Sequence, residues 1–429
     1  MLSIPSPAFN PKPYHRLALA LGAALLTAGC GGSSSDNRHN HTPIDSTGRL
    51  AITEVNADTL RIMELSNTQV IGNFSMPHTP SALHASPDGR YAIVVQRTDD
   101  LVSFVDGGLW TEDHGDHMHD YQESPQHLNF TLTSHRPTHF QSYGHRAALF
   151  FDGSATGGSA RVQVLSDGGI GNSQVVATLD RNNDMHGAAQ VVGELLFATY
   201  RDPAIIDTTL PAAVERHRQA GNGYTFEHRY TEPCERLHGS ASNATYTAFG
   251  CVDGVLVIDR STDGYPASKM LNPGTVPEGA RVGTLAGHPA VASFVGIAGS
   301  SLFDINPATD RFELIEWKED GIRRAHGFDA HGENFLVLDN DGVLHLLDPS
   351  DNFATRASVT VLPNPPSEAP WPVITVAKGS DRVYISDRMG NAIVEVDLDD
   401  AEVVRRIELA FSPAGVAWLG FEPHHNHHH

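Results

Sequence analysis

The stretch Asn334-Phe335-Leu336-Val337-Leu338-Asp339, followed after two residues by Gly342-Val343-Leu344-His345-Leu346-Leu347-Asp348, reads as two apolar strands joined by an Asn-Asp-Gly turn. Both strands are apolar on both faces, so each must be covered from two sides, and a lone hairpin cannot do that. The same phrase returns along the chain. It recurs as Asp88-Gly89-Arg90-Tyr91-Ala92-Ile93-Val94-Val95 with Leu101-Val102-Ser103-Phe104-Val105-Asp106. It recurs again as Arg382-Val383-Tyr384-Ile385-Ser386-Asp387 with Ala392-Ile393-Val394-Glu395-Val396-Asp397. Each copy supplies the two middle strands of a four-stranded antiparallel blade, and blades bury their faces by stacking around an axis.

Working outward, innermost strands are expected to start near residues 81, 139, 185, 236, 283, 325, 371 and 411. The fold class is therefore all-β, a single β-propeller of eight blades. Seven is the alternative, because residues 201–232 are irregular. The chain enters its first strand near residue 50 with no inner strand before it, and Ser412-Pro413-Ala414-Gly415-Val416-Ala417-Trp418 follows the last full phrase. The ring is thus expected to close by joining N- and C-terminal strands in one blade, leaving no open sheet edge. The composition agrees: 429 residues with 39 Gly and 26 Pro suit many turns and few long helices.

The N-terminus carries an address. Lys12, His15 and Arg16 precede a short apolar run, Leu17 to Leu26, too short for a mature membrane span. The run ends in Leu26-Thr27-Ala28-Gly29-Cys30, which resembles the lipobox of bacterial lipoproteins, with Thr27 where that motif prefers Leu. Residues 1–29 are expected to be a lipoprotein signal peptide and 30–49 a flexible tether. Residues 50–420 form the propeller with an inserted loop at 107–138, and 421–429 a histidine-rich tail. Lipidation at Cys30 would place the protein in the periplasm, held to the membrane only through that anchor. Cys234 and Cys251 remain, and in an oxidising compartment they pair most simply as a disulfide. Two thiolate metal ligands are the alternative. A formal charge of -22, from 29 Lys and Arg against 51 Asp and Glu, excludes nucleic acid as a natural partner.

The 25 histidines are the main functional signal. One set lies in or beside the expected inner strands: His84, His145, His186, His238, His288 and His326. Side chains at equivalent points of inner strands face one channel, and imidazole suits zinc, copper and nickel, of which zinc takes three or four ligands. Hydrogen bonding across blades without a metal is the competing reading for each. A second set sits in the inserted loop, Glu112-Asp113-His114-Gly115-Asp116-His117-Met118-His119-Asp120, where His114, His117 and His119 stand beside carboxylates. This loop is expected to project over one mouth and to capture zinc for the channel.

The exported propeller and the His-and-acid insertion accompany two further motifs. These are Cys234-Glu235-Arg236-Leu237-His238-Gly239 with Phe249-Gly250-Cys251, and Tyr143-Gly144-His145-Arg146 running on to Asp152-Gly153. Together they resemble periplasmic zinc metallochaperones of the AztD type, over most of residues 50–420. The resemblance implies a non-enzymatic protein that binds Zn(II) in its propeller and hands it to the solute-binding protein of a zinc ABC transporter. It does not assign ligands one by one. Two other classes remain: a metal- or quinone-dependent propeller enzyme, with an acid such as Asp184 beside a zinc-bound water, or a non-catalytic surface scaffold.

Overall fold

The computed structural model describes residues 44–115 and 118–421. Cys30, the tracts around His39 and His424, and His117 lie outside the described residues. Among the described residues, no helix is long and apolar enough to cross a membrane.

The described residues fold into eight four-stranded antiparallel sheets and one two-stranded hairpin. Seven sheets are laid down in order. The first combines Ala82–Ala85, Tyr91–Gln96, Leu101–Asp106 and Gln126–Thr133; the second begins at Pro137–Tyr143, the third at Ala189–Val192 and the fourth at Ser240–Ser242. The fifth, sixth and seventh begin at Thr284–Ala286, Arg323–Phe328 and Ile374–Val376. Leading strands of successive blades touch, so these strands line the axis of a propeller. Eight blades are present, and the irregular stretch 201–232 still yields a full third blade whose outer strands are Ala213–Ala220 and Gly223–Arg229.

The eighth blade closes the ring as expected. Pro413–Leu419 is its inner strand and pairs antiparallel with Arg49–Glu54, with Leu50 opposite Trp418 and Ile52 opposite Val416. Arg49 reinforces the seam. Its Nε is 3.0 Å from Glu64 with both side chains buried, and its Nη1 donates to the carbonyls of both Gly107 and Glu123.

The period-2 pattern explains how the blades stack. In Arg49–Glu54, Leu50 and Ile52 join a cluster with Tyr384 and Ile393 of the seventh blade, whereas Ala51 packs with Ala92 and Val94 of the first. Each of the eight junctions between neighbouring blades holds one such apolar cluster. Outer strands are correspondingly wet on alternate residues, as in Gln69–Ser75 and Ala354–Thr360. Cys234 and Cys251 are joined as a disulfide with Cα atoms 4.8 Å apart, inside the cluster between the third and fourth blades. That bond removes both sulfurs from consideration as metal ligands.

The inserted segment is shorter than the sequence suggests. Residues 126–133 are the outer strand of the first blade, and only Leu109–Asp113 with Met118–Gln122 stands apart as a hairpin. Gly108, at φ +74°, makes the turn into it where an added Cβ would collide with the carbonyl of Glu123.

Candidate metal centre

Three histidines meet at one mouth of the ring. His139 comes from the start of the inner strand of the second blade, His186 from the approach to the third, and His238 from the approach to the fourth. Their ligating nitrogens all lie within 4.8 Å of one another. Nε2 of His186 stands 3.3 Å from Nε2 of His139 and 3.1 Å from Nε2 of His238. Nitrogens bound to a tetrahedral zinc at 2.0–2.1 Å stand about 3.3 Å apart, and both distances from His186 are close to that value.

Local backbone features aim these rings. His139 follows a bulge at Thr138, where the pairing of Pro137–Tyr143 with Arg146–Phe151 shifts by one residue. His186 and His238 are each followed by a glycine set in tight surroundings. A Cβ on Gly187 would strike Thr199 Oγ1, and one on Gly239, at φ +78°, would sit 2.7 Å from the carbonyl of Gly283.

The far side of two rings is anchored. Nδ1 of His186 is 2.9 Å from Oδ2 of Asp152, and Nδ1 of His238 is 2.6 Å from the carbonyl of Gly283. A carbonyl only accepts, so the proton of a neutral His238 sits on Nδ1 and its Nε2 presents a lone pair. The carboxylate of Asp152 imposes the same tautomer on His186. His139 can offer one proton to this meeting point, yet two lone pairs face each other across 3.1 Å. A cation resolves that repulsion. This is also the outer-shell arrangement that raises ligand basicity and fixes ring orientation in metal sites. Burial, helped by the neighbouring imidazoles, pushes His139 down to about 4, and burial likewise lowers His238. Both are neutral at pH 7, the state that binds metal.

The other expected residues lie elsewhere. His84 is stacked on Phe140 with ring centroids 4.6 Å apart, facing the channel between the first and second blades; burial drives it to about 4. His288 uses both nitrogens, Nε2 on the carbonyl of Ala330 at 3.2 Å and Nδ1 accepting from the amide of Ala290 at 3.2 Å. Nδ1 of His326 accepts from Arg323 at 2.9 Å. His145 sits at the opposite end of the inner strand from His139, on the turn after Tyr143, with Nδ1 2.6 Å from Asp88. Four strand residues at about 3.3 Å each separate His139 from that turn, a distance far beyond any shared ion.

His114 and His119 stand on the hairpin, their ring centroids 5.7 Å apart and both near Tyr121. The hairpin overhangs a cleft of about 720 Å³ that also includes His145, Asp88 and Phe421. It therefore lies on the face of the ring opposite the three converging histidines. Asp184 is held by Arg201 at 2.9 Å. His139 is the residue that the sequence reading passed over: His145 carried the Gly-His signature in that blade, and the bulge that aims His139 leaves no mark in the alternation.

No family model matches the chain. A curated relative from Citrobacter koseri, named zinc chaperone AztD, is 22% identical over 399 residues, spanning 89% of this chain and 90% of that protein. Two crystal structures of Citrobacter koseri AztD, one of them apo, superpose with TM-scores of 0.72 and 0.73 at 21% identity, covering 88% of this chain and 98% of theirs. Dihydro-heme d1 dehydrogenase NirN, solved with its ligand DHE, superposes less well, with a TM-score of 0.55 at 13% identity, covering 87% of this chain and 77% of its own. Over most of its length, then, the chain is similar in sequence and in fold to the zinc chaperone AztD.

Proposed function

We propose that this protein is a periplasmic zinc carrier. It holds Zn(II) on His139, His186 and His238 and passes it to the solute-binding protein of a zinc ABC transporter. The observation that carries the reading is the meeting of three Nε2 atoms with two opposed lone pairs, each backed by a fixed acceptor on Nδ1. The similarity to a zinc chaperone supports the same cargo. Zinc is substrate here, bound in one place and released in another.

Three protein ligands leave the fourth position of a tetrahedral ion open. A donor from the receiving protein can enter there before any histidine lets go, so exchange proceeds stepwise and the bare ion never has to leave. Cys30, if lipidated, keeps this exchange next to the membrane where an importer works. An open position also suits a metal-bound water, which is the enzyme reading. That reading needs a free base, and Asp184 is committed to Arg201.

The test is a competition titration with a zinc chelator on protein ending at Phe421, so that the tail histidines do not contribute. One tight site is expected, lost in His186→Ala. Zinc-loaded protein mixed with the metal-free solute-binding protein should then yield its metal. A tight site that survives His186→Ala, or no movement of metal on mixing, would sink the reading.

A further inference from the structure

The first blade contributes no ligand to the histidine trio, yet one of its side chains reaches the supports of two ligands at once. Arg97 lies in the single 3-10 turn Arg97–Asp99 between the second and third strands of that blade. Its backbone amide is fixed by Ser81 Oγ at 3.0 Å. Its Nε donates to Thr138 Oγ1 at 3.0 Å, and its NH2 group to Asp152 Oδ2 at 3.1 Å. Thr138 is the bulge residue that sets the direction of His139. Asp152 Oδ2 is the atom that receives Nδ1 of His186. We infer that Arg97 is a positioning residue for the metal centre, a strut from a blade without ligands that sets His139 and His186 relative to each other.

The surroundings favour this role over a plain surface ion pair. Thr138 Oγ1 and the amide of Asp152 both bond the carbonyl of Arg136, so the two acceptors of Arg97 share one backbone anchor. Asp100, three residues after Arg97, accepts from the amide of Arg136 at 2.8 Å and holds His135 Nδ1 at 2.6 Å. The whole turn is therefore clamped to the segment that leads into His139. The side chain of Asp152 is almost fully buried, and Oδ1 has no partner, so its orientation depends on what Oδ2 holds. A planar guanidinium with fixed donor directions suits this task better than a flexible ammonium.

The inference rests on the zinc-site reading, and the sign of the effect separates strut from bystander. By Coulomb's law a guanidinium near a dication repels it, so removing the charge alone should tighten zinc binding. Loss of a strut should do the reverse, by the 10–100-fold typical of outer-shell changes. We expect Arg97→Met to weaken zinc in the chelator competition by about 10-fold or more. It should also change the visible d–d spectrum of the cobalt(II) form while leaving the thermal midpoint of the metal-free protein close to wild type. Arg97→Lys keeps the charge without the fork and should recover only part of the affinity. Thr138→Val removes one of the two acceptors, should act in the same direction, and serves if Arg97→Met does not fold. Affinity equal to or tighter than wild type, with an unchanged cobalt spectrum, would overturn the inference while leaving the three-histidine site intact. A wild-type protein with no tight site would instead remove the reading beneath it.

Discussion

At the scale of single residues, His186 and His288 show why histidines of similar sequence context part ways. Both sit next to glycine near an inner strand. His288 spends both nitrogens on backbone groups, whereas His186 turns Nε2 toward two other imidazoles. We therefore expect His139→Ala, His186→Ala or His238→Ala each to abolish tight zinc binding. His288→Ala should leave it unchanged and lower stability, read by titration and thermal melting on the same samples. Asp152→Asn should keep the site but weaken it by about 10–100-fold, since the far-side acceptor loses its charge. The buried imidazoles also fix a pH dependence. His84 and His139 titrate near 4 and His326 near 3 in the folded chain, against 6.5 when exposed. Well above pH 6.5 both states are neutral at these positions. As pH falls from 6.5 toward 4, the unfolded chain takes up protons that the fold refuses, so stability declines through that window. Chemical denaturation of metal-free protein at pH 7.5 and pH 5 should show the drop, and His326→Gln should shrink it. The sequence made His186 and His238 visible through their His-Gly pairs. It hid His139, because the decisive feature there is a bulge rather than a residue type, and it promoted His145, whose Gly144 serves a hairpin turn.

At the scale of elements, the hairpin Leu109–Asp113 with Met118–Gln122 is compact, and Trp110 stacks on Tyr121 at 5.0 Å beneath the guanidinium of Arg90. Its place on the face of the ring opposite the histidine trio leads to a plain expectation. Replacing residues 110–121 by a short Gly-Ser turn should leave the tight zinc site untouched. A loss of that site in titration would show that the two mouths communicate. The disulfide is the other separable element. Cys234 and Cys251 are 17 residues apart, and opening a loop of that size should cost roughly 3 kcal/mol, measurable as a lower denaturation midpoint on reduction. Strands were the most legible elements, because a run such as Phe335–Asp339 is apolar on both faces and has no other fold in which to hide them. Loop lengths were less so. Residues 126–133 alternate, with Leu128, Phe130 and Leu132 on the core side, but their pairing partner Leu101–Asp106 lies across the hairpin, so the sequence reading counts the strand with the insertion.

At the scale of the whole molecule, the eight inter-blade clusters form a continuous ring with no free face. Removing residues 413–421 should therefore do more than trim an end. It uncovers Leu50 and Ile52 and deprives Thr375 Oγ1 of the amide of Trp418. We expect the shortened chain to lose cooperative unfolding and to bind a hydrophobic dye, although His139, His186 and His238 are all retained. The ring count followed from the recurring phrases, and the closing seam from the unmatched strands at the two ends. What no local pattern could supply was which arc of the ring gathers three histidines, since that depends on side-chain direction in blades two, three and four together.

The seam has a further consequence for biogenesis. Gly415 reaches back to Thr53 across 362 residues, so the first strand to emerge from a ribosome waits for almost the last. Until then its hydrogen-bonding edge stays open. A chain born in this order needs guarding against strand exchange with its siblings, and can present a finished ring only once its final strand has arrived.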